Sequence, residues 1–442
     1  MDRYVIPSIF GKDIGIIVEG KHGIQFQYSE DFSENLLPIS PISLPYDPKR
    51  VYTKHDALAF NGLPGIFNDS LPDSFGSILM NHYLTNKYGS AHKLSVIDKL
   101  LYIGTQGMGA IEYQPAEEDI SPDGIALKRY IDATRTLIEG KSEEVIHLLT
   151  RNPSPGGARP KAAVMWDREN GIMSVGNTSE KAMQGHEAWI VKFDEHSKEE
   201  TLIEHCYMTI AAQAGIDIPP IEMIDMDNEK HFAIKRFDRE ENGDKLHLAT
   251  LSGLLHLDFS THVSTSYETC MKAALSLTKD HRSVKEIFRR MVFNVVGRNC
   301  DDHSKNTSFL MNKKGEWKLS PAYDLVYSYG QATFGQHRMS IFGKTSDITI
   351  DDLAQCGYSA GLEASFMKKT IEEISDIFSN VSSKLLDHGV SGGLAGKIEE
   401  NVCQFSVVDF PEYKQRKNRK KSSTMQMDDL TKKILKKSIS KI

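Results

Sequence analysis

The feature that most constrains the fold is a long apolar helical face that ends directly before a dense polar segment. Between positions 281 and 299, apolar residues recur at steps of three and four, which predicts a helix with one buried side. They are Val284, Ile287, Phe288, Met291, Val292, Val295 and Val296. The polar run NCDDHSKN (299–306) and the apolar run SFLM (308–311) follow at once. This order predicts a helix, a loop and a short strand.

The polar loop carries an acid–amide spacing with a chemical use. Asp301 and Asn306 lie five positions apart, and Asp324 follows 18 residues after Asn306. The catalytic loop of protein kinases also holds an Asp and an Asn with four residues between them. Such a loop must place a carboxylate beside the incoming hydroxyl and an amide oxygen on Mg²⁺. Asp324 suits a second carboxylate ligand, because Mg²⁺ prefers hard oxygen ligands.

Two other interpretations of this loop are open from the residues alone. Its Asp side chains could cap neighbouring backbone amides, as they do in many polar loops. His303 and the two Asp residues could bind a transition metal, although the sequence offers no second His–carboxylate cluster. The spacing to Asp324 and the elements upstream favour the kinase-like interpretation.

A lysine interrupts an apolar strand pattern upstream. In EAWIVKF (187–193), bulky apolar residues alternate with Ile190 and Lys192. Burying an unpaired ammonium is costly, so Lys192 needs a partner or a ligand such as phosphate. Glu204 on the following predicted helix could pair with it, as a strand lysine pairs with a helix glutamate in kinases. The alternative is an edge strand with Lys192 in water.

The run SPGGARPKAAVMW (154–166) predicts a glycine-rich turn that leads into a strand. Adjacent Gly156 and Gly157 allow backbone N–H groups to approach phosphates closely. Arg159 and Lys161 add positive charge. The run lacks the Walker A pattern, and an ordinary hairpin turn is the alternative.

Residues 1–115 carry the signals of short strands and turns. IGIIVEG and GIQFQY alternate as strands do, with Gly20 and Gly23 between them. Further along, the run NDSLPDSFGSILMNHYL predicts a loop and then a helix that holds Phe75, Ile78, Leu79 and Tyr83 on one face.

Composition indicates a globular chain with an uneven charge. Of 442 residues, 40% are hydrophobic and 26% charged, and no apolar run approaches the ~20 residues that a membrane-spanning helix needs. The net charge is −7, but residues 414–442 carry +9 and the remainder −16. The basic tail could touch nucleic acid, an acidic membrane or an acidic partner, or be a solvated terminus. Five scattered cysteines and an N-terminus without a secretory pattern predict a cytoplasmic protein.

Six segments, in order, resemble the HipA family, the serine/threonine-kinase toxins of bacterial toxin–antitoxin modules. They are NDSLPDSFG, SPGGARPKAAV, AWIVKF, AIKRFDR, DDHSKN and LSPAYDL, and they span residues 68–325. The resemblance implies an α+β, bilobal protein-kinase-like fold with an N-terminal mostly β subdomain and a helical C-terminal lobe. The expected parts are an N-terminal subdomain (1–115), the rest of the N-lobe with its phosphate loop (116–238), a helical C-lobe (239–412) and the basic tail (413–442).

The resemblance also implies ATP, Mg²⁺ and a role for each matching residue. Asp301 would be the catalytic base, and Asn306 and Asp324 would bind Mg²⁺. Ser154 matches the loop serine that such kinases autophosphorylate in trans, which switches the enzyme off. The ATP-binding residues would be Gly156, Gly157, Ala158, Arg159, Lys161, Lys192, Lys235, Arg236, Phe237, His303, Lys305 and Tyr323.

The partners implied by the resemblance are a HipB-like helix-turn-helix antitoxin and a protein substrate such as glutamyl-tRNA synthetase. DNA would be contacted only through the antitoxin, and no membrane is involved. The Arg-Pro pair before Lys161 and the basic tail depart from the best-studied family pattern, so the substrate is left open. Two alternatives are a small-molecule or lipid kinase of the same fold and a catalytically silent subunit of an antitoxin–DNA complex. The intact Asp301, Asn306 and Asp324 set argues against the silent subunit.

Overall fold

The computed structural model describes residues 3–35, 37–53, 55–72, 74–115, 125–138, 159–176, 185–194, 199–261, 263–330 and 333–412. A β-rich N-terminal part comes first, followed by a second sheet with its helices and then by a mostly helical part. This succession confirms the predicted α+β class, with a β-rich N-terminal subdomain and a helical C-terminal lobe.

The N-terminal subdomain is an antiparallel sheet with three helices. Its elements are β1 (Arg3–Ile9), β2 (Lys12–Asp13), β3 (Gly15–Gly20), β4 (Gly23–Tyr28), a 3-10 turn (Glu30–Asn35), β5 (Val51–Tyr52), α1 (Gly65–Asn68), α2 (Ser74–Tyr88), α3 (Val96–Ile103) and β6 (Ile111–Gln114). The strand order is β2-β1-β3-β4-β5, and β6 pairs with β1. Gly23 has a φ of +94°, which suits the tight β3–β4 turn, so the two predicted strands are confirmed.

Helix α2 forms where the sequence predicted it, but its buried face differs in part. Leu79, Met80 and Leu84 are buried, whereas Ile78 is 60% exposed. The prediction that Ile78 lies on the apolar face is therefore wrong. Met80 and Leu84 define a face rotated away from Ile78, and tertiary packing selects between these two apolar faces.

The second sheet forms the remainder of the N-lobe. Its elements are β7 (Ile125–Ala126), α4 (Leu127–Ile138), β8 (Lys161–Asp167), β9 (Ile172–Val175), β10 (His186–Lys192), α5 (Glu200–Gln213), β11 (Ile221–Met226) and β12 (Glu229–Lys235). The strand order is β11-β12-β10-β8-β9-β7, with every pairing antiparallel. Strand β10 therefore lies inside the sheet, and helix α5 packs against β12. Lys192, at the end of β10, is consequently not on an edge strand.

The C-terminal lobe is mostly helical. Its elements are β13 (His247–Thr250), α6 (Leu251–Leu255), β14 (Thr265–Ser266), α7 (Tyr267–Thr278), α8 (His281–Val296), a 3-10 turn (Ser304–Asn306), β15 (Ser308–Met311), β16 (Trp317–Leu319), β17 (Met339–Ser340), α9 (Ile350–Ser359), α10 (Ala364–Phe378), α11 (Val381–Asp387) and α12 (Gly392–Asn401). All seven apolar residues of the predicted face of α8 are buried. That face packs against α7 and α10, so the polar loop that follows α8 starts from the centre of the lobe.

The larger of two apolar cores crosses the boundary between the N-terminal subdomain and the C-terminal lobe. It includes Val5 and Phe26 of the first sheet together with Phe288 of α8 and Ile371 of α10. A smaller core lies between α4, the start of α2 and the second sheet, around Trp189. The N-terminal subdomain thus shares an apolar core with the C-terminal lobe and is not packed as a separate unit.

Among the residues that the structure describes, no helix is both long and apolar enough to cross a membrane.

Candidate active site

Lys192 is the centre of a buried ion-pair cluster. Its Nζ lies 2.5 Å from Oε1 of Glu204 on α5, and it also contacts the carboxylate of Asp324. The side chain of Lys192 is 10% exposed and that of Glu204 is 4% exposed. The predicted pair of Lys192 with Glu204 is present. Together with the Asp324 contact, it joins β10, α5 and the segment after β16.

Opposite charges favour the ionised forms of Lys192 and Asp324, whereas burial raises the pKa of Glu204 above its ordinary value. Burial lowers the pKa of Lys192, but the opposite charges of Asp324 and Glu204 outweigh that effect and raise it above its ordinary value. Burial likewise raises the pKa of the Asp324 carboxyl, while Lys192 and Lys161 lower it, and the net direction is downward. A charged lysine and an ionised Asp therefore face each other at one end of the cleft.

Asp324 is held in a strained backbone conformation. Its φ is +53°, in the left-handed region that non-glycine residues rarely adopt. Such strain concentrates where a side chain must be aimed at a ligand. Here the conformation turns the carboxylate of Asp324 toward Lys192.

The polar loop brings Asp301 and Asn306 together. Nδ2 of Asn306 donates to the backbone carbonyl of Asp301 at 3.0 Å, which leaves its Oδ1 as the amide atom that can ligate a cation. The Asp301 side chain is 49% exposed, and its backbone N–H donates to Ser328 Oγ at 2.9 Å. Partial burial raises the pKa of Asp301, and the positive charges of His303 and Arg338 oppose that rise. The loop thus fixes the backbone of Asp301 and leaves its carboxylate accessible.

Asn306 and Asp324 line one cavity between the loop and helix α8. They offer an amide oxygen and a carboxylate, which is the share a protein commonly contributes when Mg²⁺ is held jointly with phosphates. Within the described ranges, no group of three or more His, Cys, Asp or Glu side chains is arranged to hold a metal ion by itself. The donor set therefore fits a magnesium ion whose remaining ligands come from a nucleotide and water.

A buried acid that the sequence interpretation missed lies next to Asp301. The Asp302 side chain is fully buried and accepts hydrogen bonds from Tyr267 Oη (2.6 Å), His337 Nδ1 (3.0 Å) and the backbone N–H of Arg338 (2.7 Å). These contacts tie the loop to α7 and to the segment before β17. They also bring the Arg338 guanidinium to 3.8 Å from Asp301 Oδ1.

The predicted adenine-side residues are only partly assembled. The rings of Phe237 and Tyr323 lie 5.5 Å apart, and Tyr323 Oη donates to the carbonyl of Lys305 at 2.6 Å. His303 packs 5.4 Å from the ring of Phe259, and Lys305 lies over the same ring. Tyr323 is thus fixed to the polar loop by a hydrogen bond, and the ring of Phe237 lies against Tyr323.

The side chains of Lys235 and Arg236 are engaged elsewhere. Lys235 Nζ pairs with Glu187 at 2.5 Å, and Arg236 pairs with Asp238 at 2.8 Å in a fully buried contact. Neither side chain joins the Lys192 cluster in this structure. Lys235 and Arg236 would therefore contact an adenine only through their backbone.

Only the end of the glycine-rich turn belongs to the described part of the chain. Lys161 is 5% exposed and pairs in register with Lys192 across β8 and β10. Arg159 is exposed and lies 3.3 Å from Glu200. Ser154, Gly156, Gly157 and Ala158 lie outside the described residues.

The fold and this cluster define a bilobal protein in which a strand lysine contacts a helix glutamate and Asp324, and in which Asp324 lines one cavity with Asn306 of the polar loop. A family model described as the HipA-like C-terminal domain matches residues 153–381, and one described as the HipA N-terminal domain matches residues 8–114. The chain belongs to the HipA family.

Relatives and a solved structure agree with this assignment. A Haemophilus influenzae protein named "Putative kinase" is 32% identical over 138 residues, which is 28% of this chain and 40% of that protein. "Putative kinase Y4mE" of Sinorhizobium fredii is 23% identical over 85% of this chain and 90% of its own length. HipA in a Shewanella oneidensis MR-1 complex of HipA, HipB and operator DNA matches the fold with a TM-score of 0.66 at 16% identity, over 90% of this chain and 95% of that one.

Proposed function

We propose that this protein is an ATP- and Mg²⁺-dependent serine/threonine-protein kinase. The observation that carries the proposal is the Lys192 cluster, in which one buried lysine contacts Glu204 and Asp324. Protein kinases use the same set, a strand lysine, a helix glutamate and a metal-binding Asp, to hold nucleotide phosphates. The names of the relatives agree with a kinase activity.

Each residue has a chemical task in this proposal. Lys192, kept charged by its two acids, would contact phosphate oxygens, and the chain near Phe237 and Tyr323 would enclose the adenine. Asp301 would orient the serine or threonine hydroxyl and accept its proton, as the Asp of a kinase catalytic loop does. Asn306 and Asp324 would hold Mg²⁺, which neutralises phosphate charge when bound.

We further propose that the chain is the toxin of a toxin–antitoxin pair. The HipA in the Shewanella structure is bound to HipB and operator DNA. A similar helix-turn-helix partner would carry the DNA contact here, because residues outside the basic tail carry a net charge of −16. A translation protein such as an aminoacyl-tRNA synthetase is the proposed substrate, and Ser154 the proposed autophosphorylation site; both rest on the family resemblance.

The test is phosphate transfer from radiolabelled ATP by the full chain, with Mg²⁺ and a bacterial lysate. We expect the wild type to label itself and at least one other protein, and Asp301→Asn to abolish both. Asp376→Asn makes the same chemical change on the exposed surface of α10 and should leave labelling unchanged. Ser154→Ala should remove the principal phosphopeptide in mass spectrometry.

Three results would redirect the proposal. Label confined to a lipid or small-molecule fraction would support a kinase with another acceptor. Failure of the wild type to consume ATP would favour a silent subunit. A phosphate that persists at full stoichiometry in Ser154→Ala would remove that residue from regulation.

A further inference from the structure

One of the contacts between the N-terminal subdomain and the catalytic half of the protein is made by a carboxylate. Asp69, just after α1, accepts two hydrogen bonds from Thr250 at the start of α6: one from its backbone N–H and one from Oγ1, both at 2.8 Å. Thr250 is 8% exposed. A carboxylate that receives two donors from one buried residue is a directional, charge-assisted contact.

The backbone on both sides leaves no room for this contact to shift. A Cβ on Gly253 would lie 2.2 Å from Oδ2 of Asp69, and a Cβ on Gly65 would lie 2.5 Å from the carbonyl oxygen of Gly253. The absence of a side chain at each glycine therefore allows α1 and α6 to meet. In addition, the Gly65 N–H donates to Nδ1 of His256 at 3.1 Å.

Thr250 lies one hydrogen bond from the end of the catalytic loop. The N–H of Leu251 donates to the carbonyl of Thr307 at 2.8 Å, and Thr250 pairs in register with Ser308. Ser308 Oγ is 2.5 Å from Tyr323 Oη, which in turn donates to the carbonyl of Lys305. The backbone at Thr250 and Leu251 is thus bonded to the residues directly after Asn306.

We propose that Asp69 is a positioning residue for phosphoryl transfer: through Thr250 it fixes the exit of the loop that carries Asp301 and Asn306. This inference rests on the proposed kinase function. Asp69 is joined to the loop rather than to the strand that carries Lys192, so it governs turnover more than nucleotide affinity. In this proposal the N-terminal subdomain contributes directly to catalysis, because it holds the loop of the catalytic half in place.

The central test compares steady-state kinetics of Asp69→Asn with the wild type. Asparagine keeps the shape but replaces one acceptor oxygen with a donor that faces Thr250. We expect kcat to fall about tenfold or more, because small misplacements of catalytic groups are costly, while KM for ATP changes less than about twofold. A variant that is merely less stable would contain fewer active molecules. Its kcat, normalised to the number of titrated nucleotide sites, would then equal that of the wild type.

Matched variants control for stability and folding. Asp98→Asn makes the same chemical change in the same subdomain, at a buried carboxylate that accepts from Ser95 N–H and Arg3 rather than from Thr250, and it should keep wild-type kinetics. Thr250→Ser keeps the hydroxyl and should keep most of the wild-type kcat. Thr250→Val removes the hydroxyl and should lose most of the wild-type kcat. If Asp69→Asn does not fold, the Thr250→Ser and Thr250→Val pair decides the question.

The outcomes separate this inference from the function it rests on. An inactive wild type removes the proposed kinase function and this inference with it. An active wild type with an unchanged kcat in Asp69→Asn, or with equal kcat in the two Thr250 variants, overturns only the positioning role. A rise in KM for ATP at constant kcat overturns it as well.

Discussion

At the scale of single residues, two neighbouring aspartates in one loop have opposite environments. The Asp301 side chain is half exposed, whereas Asp302 is fully buried and accepts three close hydrogen bonds from Tyr267, His337 and Arg338. The first is the proposed catalytic base, and the second holds the loop. This division gives a test in which the same substitution, one position apart, has different consequences.

We expect Asp302→Asn to destabilise the protein and Asp301→Asn to leave its stability unchanged. An asparagine at 302 would direct an amide group at buried donors, which costs about 1–3 kcal/mol. At the half-exposed position 301, the change should stay within about 0.5 kcal/mol. Urea denaturation followed by circular dichroism measures both values. Equal free energies of unfolding for the two variants would contradict this assignment of roles.

The spacing of Asp301, Asn306 and Asp324 was visible in the sequence because catalytic loops fix that spacing along the chain. The role of Asp302 was not visible, since its donors come from residues 35 or more positions away. Burial of this kind is set by tertiary contacts that two adjacent identical letters do not distinguish. For the same reason the side-chain partners of Lys235 and Arg236 could not be predicted from the family resemblance.

At the scale of elements, α8 and α2 show when helical periodicity suffices. The apolar face of α8 has seven members in phase, and all of them are buried. Helix α2 has apolar residues on two overlapping faces, and packing against the rest of the protein buries Leu79 and leaves Ile78 at 60% exposure. A pattern with two overlapping apolar faces predicts a helix but does not predict which face is buried.

This difference within α2 predicts the effect of two adjacent substitutions. Leu79→Ala should lower the free energy of unfolding by about 2–4 kcal/mol, because it leaves a cavity in the smaller core. Ile78→Gln should change it by less than about 0.5 kcal/mol, since most of that side chain is already in water. Chemical denaturation of the two variants provides the comparison. A cost for Ile78→Gln as large as that for Leu79→Ala would show that the exposed face is covered in solution.

At the scale of the whole molecule, the N-terminal subdomain and the catalytic body share a core and a buried charge cluster. Asp238 follows β12, is fully buried, and pairs with Arg236 and Arg239. Its carboxylate also accepts the N–H of Gly109 at 2.7 Å, and Arg239 donates to the carbonyl of Gly107 at 3.2 Å. The family resemblance implied an added subdomain, but contacts over some 130 residues of chain separation cannot be predicted from local sequence. They fix the loop at 107–109 against the chain that follows β12.

Asp238→Asn should therefore weaken the whole molecule rather than one lobe. Burial raises the pKa of Asp238, but Arg236 and Arg239 lower it well below its ordinary value, so its contribution is complete above about pH 4 and is lost only as the pH falls through the folded-state pKa. Removing the charge takes away the carboxylate that both buried guanidinium groups contact, at a cost of about 3–5 kcal/mol. Asp244→Asn, which breaks an exposed pair with Lys313, should cost less than about 1 kcal/mol.

We expect urea unfolding at pH 7 to stay a single transition with a lower midpoint for Asp238→Asn, because the larger core is continuous across the boundary. A separate early transition of the N-terminal subdomain would mean that the shared core does not couple the two parts.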